Sequence, residues 1–340
     1  LFEDMLEGIE IIKLNNNYNK NLIFPSYNTN SFIMNRIMSN SESCFSKLII
    51  ISRDIFFGYR VGKIIKKVKN KTHNYNIIHF VDIADNFDLF YDSISGYKRY
   101  IYKYYFKNFF NGALKYSDEV LVVCEINKKR ILKEYAKQLN KKNIHILRNF
   151  PLVKEYGKNM NNHLSNSKLK KTMVYIGRVD FYARDLDFVL YCLADLPDWK
   201  LHIYATEKMD VIQHLKKLTY ELKLNERVTF HEPVPYYKLH TEINQYYLGI
   251  IPHKRNLLTD YTVPNKLYDY ILSGLKVLFS NNPSLLEENE IYNFGMSYEA
   301  GNKEDFINKI RLLESKELPE INDKELDWNV NMDRVFNSLI

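Results

Sequence analysis

The chain has 340 residues, of which 46% are apolar and 26% charged, and its net charge at neutral pH is +7. No apolar run approaches the ~18 residues that a transmembrane helix needs, and Cys44, Cys124 and Cys192 form neither a disulfide framework nor a CxxC metal site. The composition thus argues against a membrane-spanning protein and a disulfide-stapled domain, and it predicts a protein of the reducing cytosol. Residues 1–150 carry 24 basic and 14 acidic side chains, whereas residues 151–340 carry 24 and 27. This asymmetry predicts two halves with different surfaces.

The first half alternates short β-branched runs with helical patterns. Strands are predicted at Lys47–Ser52, Asn76–Val81, Glu119–Cys124 and Asn143–Leu147, and helices at Tyr59–Lys69 and Asn127–Leu139. Continuous apolar strands that alternate with helices indicate a parallel sheet covered on both faces.

The same alternation resumes after a polar stretch, Tyr156–Lys171, which we predict to be a linker. Strands are predicted at Thr172–Gly177, Trp199–Ala205, Arg227–Phe230, Tyr247–Ile251, Lys276–Ser280 and Gly295–Tyr298. We therefore predict an α/β protein with two Rossmann-like, doubly wound domains that face a cleft. In such sheets, ligands bind at the carboxyl ends of the strands.

The segment Val263–Leu278 carries the most informative pattern of the second half. Pro264 suits the start of a helix, and Asn265 and Lys266 then fall in the first turn, where free N–H groups attract phosphate. Asp269, one turn further, could accept two hydrogen bonds from a ribose diol. The alternative is a surface carboxylate on an ordinary helix.

A second pattern, Tyr175–Arg184, places two arginines after a predicted strand. The strand ends in Gly177, Arg178 follows at once, and Arg184 comes six residues later. Two guanidinium groups at the top of a parallel strand are suited to clamp a diphosphate through charge-assisted hydrogen bonds. The alternative is a pair of solvated loop arginines.

These segments occur in a characteristic order. The strand with Gly and Arg is followed by a strand that ends in Pro252, then by PNKLYDYILSGLKVL, then by Asn293–Gly295 before another strand. This order resembles the donor-binding domain of the GT-B glycosyltransferases, specifically the family 4-like group (glycosyl transferases group 1), over roughly residues 172–313. The resemblance implies a nucleotide-sugar donor as co-substrate and no cofactor.

The resemblance also implies roles for single residues. Arg178 matches the first diphosphate-binding position, and Arg184 lies one residue away from the second. Asp269 matches the family's ribose-binding glutamate, whereas Tyr261 occupies the position of a second acidic residue that is missing here. Val234 matches the stretch whose backbone contacts the base.

The implied domain organisation has three parts. Residues 1–155 resemble an acceptor-binding domain, residues 172–318 the donor-binding domain, and residues 319–340 a terminal segment that returns to the first domain. Because Gly8–Leu14 resembles a later strand of the acceptor domain, we expect that domain to lack its first strand.

The predicted strand and loop at residues 77–87 resemble the place where some family members carry a catalytic aspartate. Asp85 matches that position, and Asp82 is the alternative. Other family members carry a histidine near this place, but His79, the only histidine nearby, does not align cleanly with it. A base here would take the proton of the acceptor hydroxyl while the anomeric carbon gains oxocarbenium character, and Arg178 would stabilise the departing diphosphate. The alternative is that the two aspartates only cap a loop.

The stretch Tyr97–Lys115 is both basic and aromatic. Arg99, Lys103 and Lys107 recur every four residues and form one stripe of a predicted helix. One interpretation is an amphipathic helix that packs its aromatic side chains into the core. The other is docking on an anionic membrane, which would suit a lipid-linked acceptor. Nucleic-acid binding is not predicted, because no RNA- or DNA-binding signature is present.

Together, these observations predict a metal-independent glycosyltransferase that uses a nucleoside-diphosphate sugar and a glycan or lipid-linked hydroxyl acceptor. Its expected setting is cell-surface polysaccharide or glycolipid biosynthesis, in the cytoplasm and peripherally at the inner face of the cell membrane. A sugar-nucleotide epimerase of the same fold and a catalytically inactive binding subunit are the alternatives. The family expectation is retention at the anomeric carbon, whereas Asp85 as a base would suit inversion, so the stereochemistry stays open.

Overall fold

A computed structural model describes residues 48–71, 77–139, 142–153, 169–206, 208–317 and 323–336. The chain divides into two compact units. The first comprises the described residues up to Val123 together with Asn127–Leu147, and the second comprises Cys124–Ile126 and the chain from Arg148 onward. The strand predicted at Gly8–Leu14 lies outside the described residues, and the return of residues 319–340 to the first domain stays a prediction.

The first unit contains a parallel sheet with the strand order β1-β2-β3-β4 in its described part. The strands are β1 (Leu48–Arg53), β2 (Ile77–Ile83), β3 (Glu119–Val122) and β4 (Ile144–Ile146). The helices are α1 (Ile55–Lys71), a 3-10 helix (Phe87–Ser93), α2 (Lys98–Tyr116), α3 (Glu125–Glu134) and α4 (Ala136–Leu139).

Two predictions for this unit need correction. The strand expected to run to Cys124 ends at Val122, and the helix expected over Asn127–Leu139 is interrupted at Tyr135. Tyr135 is buried and its hydroxyl donates a 2.7 Å hydrogen bond to the Asp88 carboxylate. The interruption therefore coincides with a buried side-chain contact that links the helical segment to the 3-10 helix.

The second unit contains a parallel sheet with the strand order β10-β9-β8-β5-β6-β7. The strands are β5 (Leu169–Arg178), β6 (Lys200–Thr206), β7 (Val228–His231), β8 (Tyr246–Ile251), β9 (Lys276–Ser280) and β10 (Gly295–Tyr298). The helices are α5 (Leu186–Ala194), α6 (Met209–Glu221), α7 (Tyr236–Ile243), α8 (Leu257–Asp260), α9 (Lys266–Leu272), α10 (Pro283–Tyr292), α11 (Lys303–Ser315), a 3-10 helix (Asp323–Leu326) and α12 (Trp328–Phe336).

The strand order of this sheet is that of a doubly wound nucleotide-binding fold. Numbered along the unit, the strands run 6-5-4-1-2-3, so the chain reverses its direction of winding between β5 and β8. Ligands of such sheets bind in the crevice at this switch point, outside the carboxyl ends of the strands. The two sheets, each flanked by helices, confirm the predicted pair of Rossmann-like domains.

Strand β5 begins three residues earlier than its apolar run predicts. Leu169 pairs with Tyr246 of β8, and a register shift follows before Met173. Lys171, with φ of 56°, lies in this irregularity, so polar residues assigned to the linker Tyr156–Lys171 join the sheet. None of the helices in the described ranges is long and apolar enough to span a bilayer.

Candidate functional site

The two central strands of the second sheet separate towards their carboxyl ends, and a tyrosine fills the fork. Their ladder extends to Val174 and Gly249. The hydroxyl of Tyr270 on α9 accepts a 3.0 Å hydrogen bond from the Ile176 amide, and it lies 3.2 and 3.4 Å from the carbonyl oxygens of Val174 and Ile250. A side chain at Gly249 would collide with the tyrosine ring, because its Cβ would lie 2.5 Å away. Helix α9 is therefore fastened to both strands where the crevice opens.

Lys266, the first residue of α9, turns its side chain into this crevice. It is buried, and its Nζ lies 3.7 Å from the centroid of the Tyr175 ring, a cation–π contact. Nζ would also lie 3.7 Å from a Cβ built on Gly177, whose φ of +96° favours glycine. The Lys266 ammonium has no hydrogen-bond partner in the described part of the chain.

Two further basic side chains join Lys266. Arg184 and His253 form an antiparallel β-bridge, which holds the loop after β5 against the end of β8. Nε of Arg184 and both ring nitrogens of His253 are buried and have no hydrogen-bond partner among the residues that the structure describes. Within the described residues, nine buried side-chain polar atoms lack a partner, and four of them belong to Lys266, Arg184 and His253. We call these three residues the basic cluster.

The basic cluster is electrostatically unfavourable without a ligand. Burial, reinforced by the charge of Arg184, holds the pKa of Lys266 well below its usual range, although Asp180 and Asp269 oppose this shift. Burial and the charges of Arg184 and Lys266 also hold the pKa of His253 well below its usual range. Because buried polar groups are normally hydrogen-bonded, an anion is the ligand that would satisfy all three side chains.

Asp269 connects this cluster to the loop after β7. Its buried carboxylate accepts a 3.2 Å hydrogen bond from the hydroxyl of Tyr236, the first residue of α7. Val234, half-buried, lies two residues before Tyr236. The predicted ribose ligand and the predicted base-contacting stretch therefore belong to the same part of the second unit.

The remaining predicted donor residues are exposed. Arg178 is exposed at the end of β5, and Asn265 is exposed directly before α9, where its side chain makes no capping hydrogen bond. Because α9 has only seven residues, the Lys266 side chain is a stronger anion-binding feature than the helix terminus. Tyr261 is half-buried at the end of α8, next to Asp260, which Arg255 holds with two hydrogen bonds of 2.7 and 3.0 Å.

The predicted catalytic aspartates both lie at the carboxyl end of β2 in the first unit. Asp82 is half-buried within β2 and Asp85 is exposed just after it. Asp54 accepts hydrogen bonds of 2.8 and 2.9 Å from the first amides of α1, and its own amide donates to the Asp82 carbonyl. Burial, together with the charges of Asp85 and Asp54, raises the pKa of Asp82 to about 6, against the influence of Arg53. Such a value is suited to a general base near neutral pH.

His79 has a structural environment. Its Nε2 lies 2.9 Å from the Ser52 hydroxyl, and its Nδ1 lies 3.2 Å from the carbonyl oxygen of Tyr116. Burial lowers the pKa of His79 to about 4. Both ring nitrogens of His79 thus have partners within the core of the first unit.

A buried network anchors the loop that carries Asp85. Arg130 of α3 donates to both carboxylate oxygens of Asp88 and to the Asn86 side-chain oxygen, and Tyr135 donates to the same carboxylate. Arg130 and Asp88 are both buried. Asn86 and Asp88, which follow Asp85 in the chain, are therefore held in place by buried hydrogen bonds.

The basic aromatic helix α2 has two different halves. Its second half buries Phe106 and Phe110 in the core, as the amphipathic interpretation predicts. Its first half exposes large side chains with fractions of 60–75%: Tyr97, which precedes the helix, Tyr100, Ile101 and Tyr104. This exposed aromatic surface is unusual for a solvated helix.

The predicted basic stripe lies beside that surface. Arg99 pairs with Asp92 at 2.5 Å and lies over the Tyr91 ring, and Lys103 lies 5.0 Å from the centroid of the same ring. Lys107 is half-buried. The stripe therefore turns partly towards the 3-10 helix, while the aromatic residues take the outward positions.

Comparison with known proteins adds the fold family. No protein-family model matches the chain, and no curated protein matches it by sequence. Among solved structures it is similar to a sucrose-phosphate synthase from Thermosynechococcus elongatus, with a TM-score of 0.62 and 12% identity over 91% of this chain and 77% of that one. It is also similar to the lipopolysaccharide outer core galactosyltransferase WaaB, with a TM-score of 0.60 and 14% identity over 92% and 81% of the two chains.

A third similar structure is Anabaena HepE in complex with UDP and glucose, with a TM-score of 0.58 and 11% identity over 91% and 77% of the two chains. The chain has the GT-B fold. This confirms the fold that the ordered motifs predict. At these identities, the similarity concerns the fold alone, so activity and site residues rest on the geometry described above.

Within the GT-B fold, the second unit brings together Arg184, Lys266 and Asp269, three of the predicted donor-binding residues. Sequence reasoning missed His253, although its position directly after the strand-ending Pro252 was a usable signal. It also missed Tyr270, because a tyrosine in an apolar helix carries no sign that its hydroxyl bridges two strands.

Proposed function

We propose that the chain is a glycosyltransferase that moves a sugar from a nucleoside-diphosphate sugar to a hydroxyl group of a glycan or lipid-linked acceptor. The basic cluster at the switch point is the observation that carries this proposal, because its buried nitrogens lack partners that an anion would provide. The setting we propose is cell-surface polysaccharide or glycolipid biosynthesis. The fold shared with a lipopolysaccharide galactosyltransferase and with a protein solved with UDP and glucose supports this setting.

In the proposed complex, the diphosphate lies against the basic cluster with Arg178 beside it. Asp269 accepts hydrogen bonds from the ribose diol, and the backbone near Val234 contacts the base. During transfer, the bond between the anomeric carbon and the diphosphate oxygen breaks, and negative charge develops on the diphosphate. Cationic groups that are already in place stabilise that charge without reorganisation, so we also propose that transfer needs no metal ion.

The acceptor hydroxyl forms the new bond to the anomeric carbon and loses its proton. We propose that the Asp82–Asp85 pair takes part in this step. Asp85 is exposed and thus available to an acceptor, whereas the pKa of Asp82, raised to about 6, suits proton acceptance near neutral pH. Determining the anomeric configuration of the product by NMR distinguishes inversion, which a direct base would favour, from retention.

We further propose that the exposed half of α2 docks on the anionic inner face of the cell membrane, where a lipid-linked acceptor resides. Tyr and Ile side chains at 60–75% exposure, with Lys98, Arg99 and Lys103 among them, suit the boundary between headgroups and acyl chains. Each basic residue near such a surface contributes ~1 kcal/mol.

The test begins with thermal-shift measurements against UDP-, GDP-, ADP- and dTDP-sugars, followed by product analysis with the radiolabelled donor that binds. We expect transfer to an acceptor, and we expect Arg178→Ala and Asp269→Ala each to abolish it without unfolding the chain. Lys217→Ala is a suitable control, because Lys217 is exposed on α6 and forms an ion pair with Glu221 of the same helix. Near-normal turnover of either site variant at subsaturating donor would contradict the site assignment.

The same experiment separates the alternatives. An isomerised nucleotide sugar without transfer would identify an epimerase. Donor binding without any transfer or donor hydrolysis would identify an inactive binding subunit. Full activity in the presence of a chelator is the outcome expected for metal-independent transfer.

A further inference from the structure

The basic cluster raises the question of how its three side chains share their protons. Lys266 and His253 are buried, and both are close enough to Arg184 for its charge to disfavour their protonation. In the described part of the chain, four nitrogens of the cluster have no hydrogen-bond partner. An arrangement of three cations in one buried space, without an acceptor for them, is costly.

The acids that face the cluster are already engaged. Asp180, in the loop after β5, accepts hydrogen bonds from the amides of Tyr182 and Ala183. Asp269, on α9, accepts one from Tyr236. Neither carboxylate has a hydrogen bond to Lys266, although both attract its positive charge.

Two further neighbours among the described residues are a neutral ring and a lysine. From β5, Lys266 meets the neutral ring of Tyr175. After β8, the residue that follows His253 is Lys254, whose ammonium lies 3.6 Å from Asp185. Among the described residues, the charged groups that act on Lys266 and His253 are therefore cations or acids that already have partners.

We propose that the ligand-free protein holds this cluster short of its full complement of protons, and that binding of the donor's diphosphate transfers a proton from solvent to the Lys266–His253 pair. No bond in the ligand forms or breaks in this step. The proton leaves water or buffer and binds to a ring nitrogen or Nζ, and the diphosphate oxygens accept the new hydrogen bonds. His253 is thereby a ligand of the diphosphate. This inference rests on the proposed function and adds the protonation of its site.

The coupling has a definite sign. Because the bound state holds more protons than the free state, raising the pH weakens diphosphate binding. Uptake of one full proton corresponds to a tenfold loss of affinity per pH unit between the pKa values of the free and bound states. The same coupling means that release of the nucleoside diphosphate product gives a proton back to solvent.

The experiment is calorimetric titration of UDP, and of GDP if UDP does not bind, into the whole chain. At pH 8.5, the terminal phosphate of the ligand is already ionised, since its second pKa is about 6. Titrations in buffers of different ionisation enthalpy give the number of protons exchanged. We expect net uptake, and an affinity that falls over pH 7–10.

Variants locate the proton. Lys266→Met keeps a side chain of similar length, and His253→Gln keeps a hydrogen-bonding group that does not titrate. We expect the double variant to bind UDP more weakly and with no proton uptake. His214→Gln and Lys217→Met are matched controls on α6, where both residues are solvent-accessible and paired with acids, and they should leave the proton number unchanged. A thermal unfolding curve of each variant verifies that it is folded.

The outcomes separate the two proposals. Binding of UDP or GDP without proton uptake at any pH from 7 to 10, or uptake that persists in the double variant, would overturn the inference and leave the glycosyltransferase proposal standing. Failure of UDP, GDP, ADP and dTDP to bind in calorimetry, together with failure of all four nucleotide sugars of the thermal-shift panel, would overturn both.

Discussion

The guanidinium of Arg130 holds the carboxylate of Asp88 through two hydrogen bonds, of 2.6 and 3.3 Å, in the interior of the first unit. Arg130 also binds the side chain of Asn86, the residue next to Asp85. The exposed aspartate proposed for the acceptor side thus sits on a loop whose neighbouring residues are fixed by a buried ion pair. This arrangement gives a candidate catalytic residue a defined position without using its own side chain.

Breaking this pair on one side should be strongly destabilising. We expect Arg130→Met or Asp88→Leu alone to lower the free energy of unfolding by ~3–5 kcal/mol, because each leaves an uncompensated buried charge. The double variant should lose much less than the sum of the two. Denaturant unfolding followed by circular dichroism measures all three. Additive effects, or single losses below ~1 kcal/mol, would show that the pair behaves as a solvated surface pair.

Removing the buried amino group of Lys266 should stabilise the ligand-free protein and weaken its binding of UDP. We expect Lys266→Met to raise the free energy of unfolding of the ligand-free protein by ~1–2 kcal/mol, because it removes a buried amino group that has no hydrogen-bond partner among the described residues. The same variant should bind UDP roughly 10–100-fold more weakly, the effect of a lost charge-assisted hydrogen bond. Chemical denaturation and calorimetry measure the two effects. A variant that is both less stable and unchanged in UDP affinity would place the lysine outside the site.

The pH dependence of transfer should report Asp82. Its raised pKa of about 6 means that the basic carboxylate form grows as the pH rises through that value, so we expect kcat/KM to rise and then level off above it. Asp82→Asn should abolish this rise of kcat/KM with pH and lower the rate by ~10²–10⁴. Asp85→Asn should shift the rise of kcat/KM to lower pH, because the negative charge of Asp85 helps to raise the pKa of Asp82. The measurement is kcat/KM of each variant over pH 4.5–8.5. If Asp82→Asn shows the same rise with pH as the unaltered chain, another group is the base.

The exposed aromatic half of α2 should be necessary for membrane association. We expect the double variant Tyr100→Ser/Tyr104→Ser to lose most of its sedimentation with liposomes that contain anionic lipid, and raising the salt concentration should weaken binding of the unaltered chain. Tyr220→Ser is a matched control, since Tyr220 is 73% exposed on α6. If the unaltered chain shows no salt-sensitive binding, the aromatic half of α2 has another role.

The sequence predicts the strands well, because buried parallel strands are continuously apolar. The bounds of β9 and β10 are as predicted, and most other strands differ by one to three residues at an end. The site was predictable where a motif is local, as for Lys266 and Asp269. For His253 the sequence offers only its position directly after Pro252, because the lack of a partner at its ring nitrogens depends on Arg184 and Lys266, which are remote from it in the chain. The direction of the basic stripe on α2 was also not predictable, because Arg99 and Lys103 contact Asp92 and Tyr91 of the 3-10 helix.

The tyrosine that fills the fork of the second sheet has a consequence for hydrogen exchange. The amide of Ile176 donates to the hydroxyl of Tyr270, a side chain on a neighbouring helix, and this bond exists only while α9 is docked. The exchange rate of this single amide with deuterium therefore measures how often the helix lifts from the sheet. A ligand held by Lys266 and Asp269 on the same helix would slow that rate, so one backbone amide can report occupancy of the crevice without a label or a substrate.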